Sequence, residues 1–209
     1  MIKNYEILEN GLIRQINFVN TIQKYDFDYV NQRYNQYGEK GPQMAGLRLG
    51  YLIGVLGFVP NSILDVGYGN GDFLKVTQQG INSYGNDISE YPIPQNSEFI
   101  QDILEKHFDV ICMFDVLEHF EDISFVKNLK CNYVYISLPW CHNFSDEWFE
   151  NWKHRRPDEH LWHFNENSIN NFFNEMGYEK VNSSNIEDII RKSSDDNPNI
   201  LTCIFKNIK

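Results

Sequence analysis

Residues 63–74 read ILDVGYGNGDFL: an apolar run ends in an acid, Asp65, and passes directly into three alternating glycines, Gly67, Gly69 and Gly71. The run fits a buried strand and the residues after Gly71 fit the start of a helix. Between them the chain needs a tight turn. Glycine permits positive φ there and lets the backbone approach a ligand with no Cβ in the way. A dinucleotide-binding turn would read G-x-G-x-x-G, but Asp72 stands where the third glycine belongs, which disfavours a pyrophosphate ligand.

Downstream, short apolar runs at 62–67, 82–87, 97–101, 108–114 and 132–138 alternate with stretches of helical character. That alternation predicts an α/β fold, a doubly wound, Rossmann-like parallel sheet with crossover helices. Phe120–Leu129 predicts one such helix, and Glu166–Met176 another, capped by Asn165 and stopped by Gly177. Runs near 178–183 and 199–206, joined by the turn-rich SSDDNPN, predict an antiparallel hairpin at the sheet edge and bring the sheet to seven mostly parallel strands.

Upstream, residues 1–60 read as helical and aromatic. Phe27, Val30, Tyr34 and Tyr37 recur at helical spacing ahead of Gly38, and Pro42 opens a second helix with Met44, Leu47, Tyr51 and Val55 on one face. The expected division is a helical lid over 1–60 and a single compact unit over 61–209; the alternative is that the aromatics merely pack a helical layer.

The chain has 209 residues and a net charge of −11, which argues against a broad nucleic-acid surface. Its 4 cysteines include no C-x-x-C pair, so neither a disulfide framework nor a thiolate zinc knuckle is expected, and a reducing cytoplasm is the simplest setting. The first residues lack the apolar core of a signal peptide, and the longest apolar run, Leu47–Pro60, carries Arg48 and falls short of a bilayer span. No membrane partner is expected, and oligomeric state is left open.

Asp65–Gly71 matches D-x-G-x-G-x-G, and here the chain resembles the class I S-adenosylmethionine-dependent methyltransferases. The resemblance implies that Asp65, Gly67, Tyr68, Gly69 and Gly71 form the cofactor loop. It also implies that Asp87, with Ile88 beside it, holds the ribose hydroxyls. Asp87 follows Asp65 by about 20 positions, the spacing expected of a ribose-binding acid. Asp102 and Ile103, after the third run, would meet the adenine. FDVICMFDVLEHF, residues 108–120, resembles the family's fourth-strand signature. Phe114 and Asp115 would then flank the adenosine and methionine moieties, with Leu117, Glu118 and His119 beside the reacting sulfur. The cofactor would be S-adenosylmethionine and the product S-adenosylhomocysteine.

The acceptor side is sought in the long connection after 132–138, since long loops in compact domains are usually functional. Removing a hydroxyl proton requires a base, and histidine titrates in the useful range. His160 is the first candidate, because EHLWHF resembles a stretch that faces the acceptor in small-molecule members; His142, His119 and His163 follow. Lys153, Arg155 and Arg156 offer a basic knot for a phosphate or carboxylate, as on a saccharide derivative or phosphorylated metabolite. Cys141, His142, His154, His160 and His163 fit no standard zinc spacing, and no metal is expected. The expected activity is methyl transfer to an oxygen or nitrogen of a small-molecule or sugar-like acceptor. The rivals are a protein or nucleic-acid methyltransferase and a non-catalytic module that only binds the cofactor. Ser137–Trp140 is similar to a base-gripping S-P-P-W motif, but Leu138 replaces the first proline and the segment follows the fifth run, not the fourth.

Overall fold

The computed structural model describes residues 2–19, 26–35, 38–193 and 196–209. In chain order its elements are β1 (Tyr5–Ile7), β2 (Ile13–Gln15), α1 (Phe27–Asn35), α2 (Lys40–Leu56), β3 (Ser62–Val66), α3 (Asp72–Thr77), β4 (Asn82–Asn86), β5 (Ser97–Phe99), β6 (Phe108–Phe114), β7 (Cys131–Pro139), α4 (Asp146–Asn151), β8 (Trp162–His163), α5 (Glu166–Glu175), β9 (Tyr178–Ser184) and β10 (Ile200–Asn207).

One sheet has 7 strands in the order β5-β4-β3-β6-β7-β10-β9. β3 pairs in parallel with β4 on one side and β6 on the other, so the winding reverses at the strand that carries the glycine turn. In open α/β sheets ligands bind outside the carboxyl ends of the strands at such a point. β10 runs antiparallel between β7 and β9, the edge hairpin expected from the last two apolar runs.

Side-chain alternation along the strands sorts the core into two layers. Ile63, Val110, Cys112, Tyr135 and Ile204 pack with Ala45 and Leu52 of α2 and Phe73 of α3. Leu64, Val66, Ile111, Met113, Val134, Ile136 and Phe205 form the other layer with Ile169, Phe172 and Phe173 of α5. Asn165 caps α5 through a reciprocal bond with Ser168, and Gly177 leaves the helix at φ 85, both at the positions expected.

Several local expectations change. Residues 2–19 contain a β-hairpin, not a helix: Tyr5 pairs with Gln15, and β2 pairs onward with β8. Gly11 at φ 86 turns the chain, and Tyr5, Ile13 and Gln15 alternate inward. Each strand has only 3 residues, too few for a period of two to stand out in the sequence. The crossover helix expected at Phe120–Leu129 is replaced by short 3-10 turns at Leu117–His119 and Ser124–Asn128. Asp122 is responsible, because its carboxylate accepts from both the amide and the hydroxyl of Ser124 and offers the backbone a turn in place of a helix. Between β9 and β10, IEDII forms a 3-10 turn at Ile186–Ile189.

The buried face of α2 is centred on Ala45 and Leu52, so that Arg48 falls within it, one step round from the face expected. Tyr37 lies outside the described residues, as do Ser194 and Asp195 of the loop before β10. Among the described residues no helix is long and apolar enough to cross a membrane.

Phe173 is fully buried and stacks on Phe205 with ring centroids 4.0 Å apart. Phe173→Ala is expected to cost about 3–5 kcal/mol of folding stability, read as a lower urea midpoint at unchanged slope.

Candidate functional site

The turn after β3 is shaped by close approach. Gly67 has φ 73, and a Cβ there would lie 2.4 Å from Val116 Cγ2; one on Gly71, at φ 74, would lie 2.7 Å from Pro94 Cγ. Both positions therefore demand glycine on backbone and steric grounds. The Gly67 amide donates to Asn86 O at 2.7 Å, and the Gly69 amide to Asp87 Oδ2 at 2.8 Å, which ties the turn to the end of β4. Tyr68 turns inward: its ring lies against Gly85, and its hydroxyl donates to Tyr91 O.

Asp65 is buried, and its Oδ1 has no hydrogen-bond partner. Burial pushes its carboxyl up to about 7, against the pull of Arg48 and with the help of the Asp87 charge. An orphaned carboxylate of this kind calls for a cationic partner. Asp87 also accepts from the Ser89 amide at 2.7 Å, and a carboxylate has room for further donors such as sugar hydroxyls. Ile88 is 77% exposed beside it, an apolar face that a flat base would cover. Asp102 is exposed, with Oδ1 accepting from the Leu104 amide at 2.9 Å, and Ile103 is half-buried. A bare backbone cradle, a buried acid with one oxygen unbonded, a second acid with room for further donors and an apolar face together fit an adenosyl ligand with a cationic amino-acid end.

Beyond the end of β6 the backbone takes an unusual turn. Asp115 has φ 55, in the left-handed region, and its amide donates to Ser137 O at 2.8 Å. Arg191 grips the Asp115 carboxylate with two bonds of 2.6 and 3.0 Å and reaches Glu187 at 3.1 Å. Glu187 is fully buried and accepts from Arg48 at 2.7 and 3.0 Å. Arg48 in turn lies over the Phe114 ring, 4.0 Å from its centroid. Burial disfavours the ionised Asp115, but the charge and hydrogen bonds of Arg191, with Arg48 behind, hold its carboxyl well below the usual range.

The histidine candidates separate in space. His119 and His160 meet edge-to-face with ring centroids 4.7 Å apart, beside buried Glu118. Burial, then His119 and His163, pushes His160 down to about 2. His163 sits elsewhere, among Tyr5, Phe149 and Trp152, and burial followed by the Arg155 charge lowers it to about 3. His142 is half-buried at the end of β7, stacked between Trp140 and Phe144 at 5.5 and 5.2 Å. The basic knot is partly committed to the fold: Arg155 lies over the Tyr5 ring and Arg156 pairs with Glu159.

Residues 48–183, well over half of the chain, match the family described as a methyltransferase domain. The chain belongs to the class I S-adenosylmethionine-dependent methyltransferases. S-adenosylmethionine is its cofactor, and the chain is an enzyme. A comparison with curated proteins finds no match. The methyltransferase is similar in fold to the magnesium protoporphyrin IX methyltransferase of Synechocystis with bound S-adenosylhomocysteine: 16% identity and a TM-score of 0.63 over 88% of this chain and 96% of that one. It is also similar to the Burkholderia thailandensis 1,6-didemethyltoxoflavin N1-methyltransferase with bound 1,6-didemethyltoxoflavin and S-adenosylhomocysteine, at 13% identity and a TM-score of 0.60 over 99% and 100% of the two chains. A third likeness is to an S-adenosylmethionine-dependent methyltransferase of Clostridium acetobutylicum, at 12% identity and a TM-score of 0.59 over 86% and 99%.

Sequence reasoning about this methyltransferase missed Arg48, Glu187 and Arg191. The one available signal was a lone arginine inside the apolar face of α2, since a charge so placed needs a buried partner. Two outcomes test the site. Asp87→Ala is expected to weaken S-adenosylhomocysteine about ten- to a hundredfold in calorimetry, the worth of charge-assisted hydrogen bonds to a diol; unchanged affinity would remove Asp87 from the cofactor site. Glu187→Gln leaves Arg48 and Arg191 facing each other without their shared anion and is expected to cost about 3–5 kcal/mol in urea unfolding.

Proposed function

We propose that this enzyme methylates an oxygen or nitrogen of a small molecule with a flat or sugar-like ring. The observation that carries this reading is the aromatic wall beyond β7. Trp140, His142 and Phe144 stack in sequence, with interplanar angles of 16° and 6°, and Trp148 stacks on Trp152 at 24°. A hollow of about 140 Å³ opens here, lined by His142, Trp148, Trp152, Lys153 and Asn199 among others. Phe144 is 62% exposed, a large ring face held ready for a partner. β6 and β7 pair in register up to Phe114 and Ser137, so this wall stands at the same sheet end as the cofactor turn. The similar Synechocystis and Burkholderia enzymes are named for a porphyrin and for didemethyltoxoflavin, both flat small molecules. The net charge of −11 weighs against nucleic acid as the acceptor.

Bound S-adenosylmethionine supplies an electrophilic methyl group on its sulfonium. Gly67–Gly71, Asp65 and Asp87 hold that cofactor, and Ile88, Asp102 and Ile103 border its base. A lid role for α1 and the start of α2 is supported by a hollow of about 200 Å³ beside the turn, which they line with Asn70, Asp72 and Tyr91, and by Phe27 stacked on Tyr91 at 5.1 Å. The aromatic wall orients the acceptor and excludes water, which supplies most of the acceleration through proximity. The proton of a hydroxyl acceptor passes to His142. Its Nε2 bonds the Pro198 carbonyl at 2.7 Å and must therefore carry the hydrogen, which leaves the Nδ1 lone pair to accept. His160 is a poor base, because burial holds it down to about 2.

A methyl-transfer assay over flat heterocycles, phenols, saccharides, peptides and RNA tests the reading. Turnover is expected with a ring-bearing small molecule, with Phe144→Ala raising KM and His142→Gln lowering kcat for a hydroxyl acceptor about 10²–10⁴-fold. Turnover confined to peptides or RNA would overturn it.

A further inference from the structure

We propose that Glu118, His119 and His160 bind one divalent first-row transition-metal ion beside the methyl-transfer cleft. Each side chain offers one ligand atom, and these atoms lie within 4.8 Å of one another. Ligands 2.0–2.2 Å from a common ion stand about 3–3.5 Å apart, so modest side-chain rotation closes the set.

Two independent features point to a cation. The first is the orientation of the imidazoles. His119 Nδ1 bonds Glu159 O and His160 Nδ1 bonds His154 O, each at 2.9 Å. A carbonyl only accepts, so both Nδ1 atoms carry hydrogen and both Nε2 atoms carry the lone pair. That is the tautomer and second-sphere support that metal-binding histidines use. The second is Glu118, 1% exposed, with neither carboxylate oxygen hydrogen-bonded. Ionised, it is a buried charge without a partner; protonated, its hydroxyl lacks an acceptor. A cation answers what a proton leaves unsatisfied.

The support is built into the fold. Leu161 N donates to Glu118 O at 2.8 Å, which joins the turn after β6 to the segment before β8, and Arg156 anchors Glu159 at 2.8 Å. Two imidazoles and a carboxylate suit zinc-like ions, and three protein ligands leave coordination positions open for water or an acceptor oxygen. Spacing along the chain did not expose this set, because Glu118 and His119 precede the histidine-rich connection and only the fold brings His160 back to them.

The test uses the whole chain, stripped with a chelator and titrated with Co²⁺ without cofactor or acceptor, followed by visible absorption and calorimetry. One equivalent is expected to bind with ligand-field bands. Glu118→Gln and His160→Gln should each weaken binding by at least about a hundredfold, while His107→Gln, at an exposed histidine, should not. Circular dichroism and the urea unfolding midpoint report whether the variants fold. Should they unfold, X-ray absorption of the wild-type cobalt complex decides, with two imidazoles expected in the first sphere. No stoichiometric Co²⁺ binding, binding indifferent to the folded cluster variants, or a sphere without imidazole would overturn the proposal. No arm uses an acceptor, so failure of the acceptor assignment leaves this result standing.

Discussion

The methyltransferase depends on a steric constraint, the near-contact between the turn after β3 and Val116, two residues beyond β6. Val116 comes so close to Gly67 that the position has no room for a side chain, and the same glycine occupies a backbone region that other residues rarely visit. Two neighbouring parallel strands are thereby brought together at their carboxyl ends with bare backbone between them. The bond from the Gly69 amide to Asp87 fastens the third strand of the group to the same point. The glycine turn, Asp87 and the segment after β6, the three parts proposed to hold the cofactor, are thus positioned by one junction, not by three separate loops.

Behind that junction stands a chain of alternating charges, from Asp115 through Arg191 and Glu187 to Arg48, which ends on the face of Phe114. It links α2, the end of β6 and the turn before β10, elements far apart in sequence. Buried ion pairs add little net stability, because desolvation offsets most of the attraction. What such a chain does well is specify geometry. Asp115 is held in a left-handed conformation against the preference of its backbone, and strain of that sort persists only when the surroundings determine it.

Legibility in the sequence followed the range of the interactions involved. The glycine turn, the apolar strands and the Asn165–Gly177 limits of α5 are local matters of backbone sterics and capping, and each appeared where expected. The helix expected at Phe120–Leu129 failed because one aspartate side chain competes for the backbone of its neighbour. The N-terminal hairpin was hidden by strands shorter than the period that would betray them. Arg48, Glu187 and Arg191 could not be joined without the fold, and the same holds for Glu118 and His160. In each case the partners lie on different elements and share no spacing that a linear reading detects.

The pairing of β2 with β8 also bears on how the chain is made. The hairpin is synthesised well before the residues that cover it: the apolar side of Tyr5 and Ile13 waits for Cys141 and Phe149, and its outer edge for Trp162 and His163. Throughout elongation that edge is an unpaired strand next to apolar side chains, the kind of surface that recruits chaperones or the wrong neighbour. Order of synthesis thus leaves this edge open over an interval of about 150 residues, from Ile13 to His163, that the finished sheet closes.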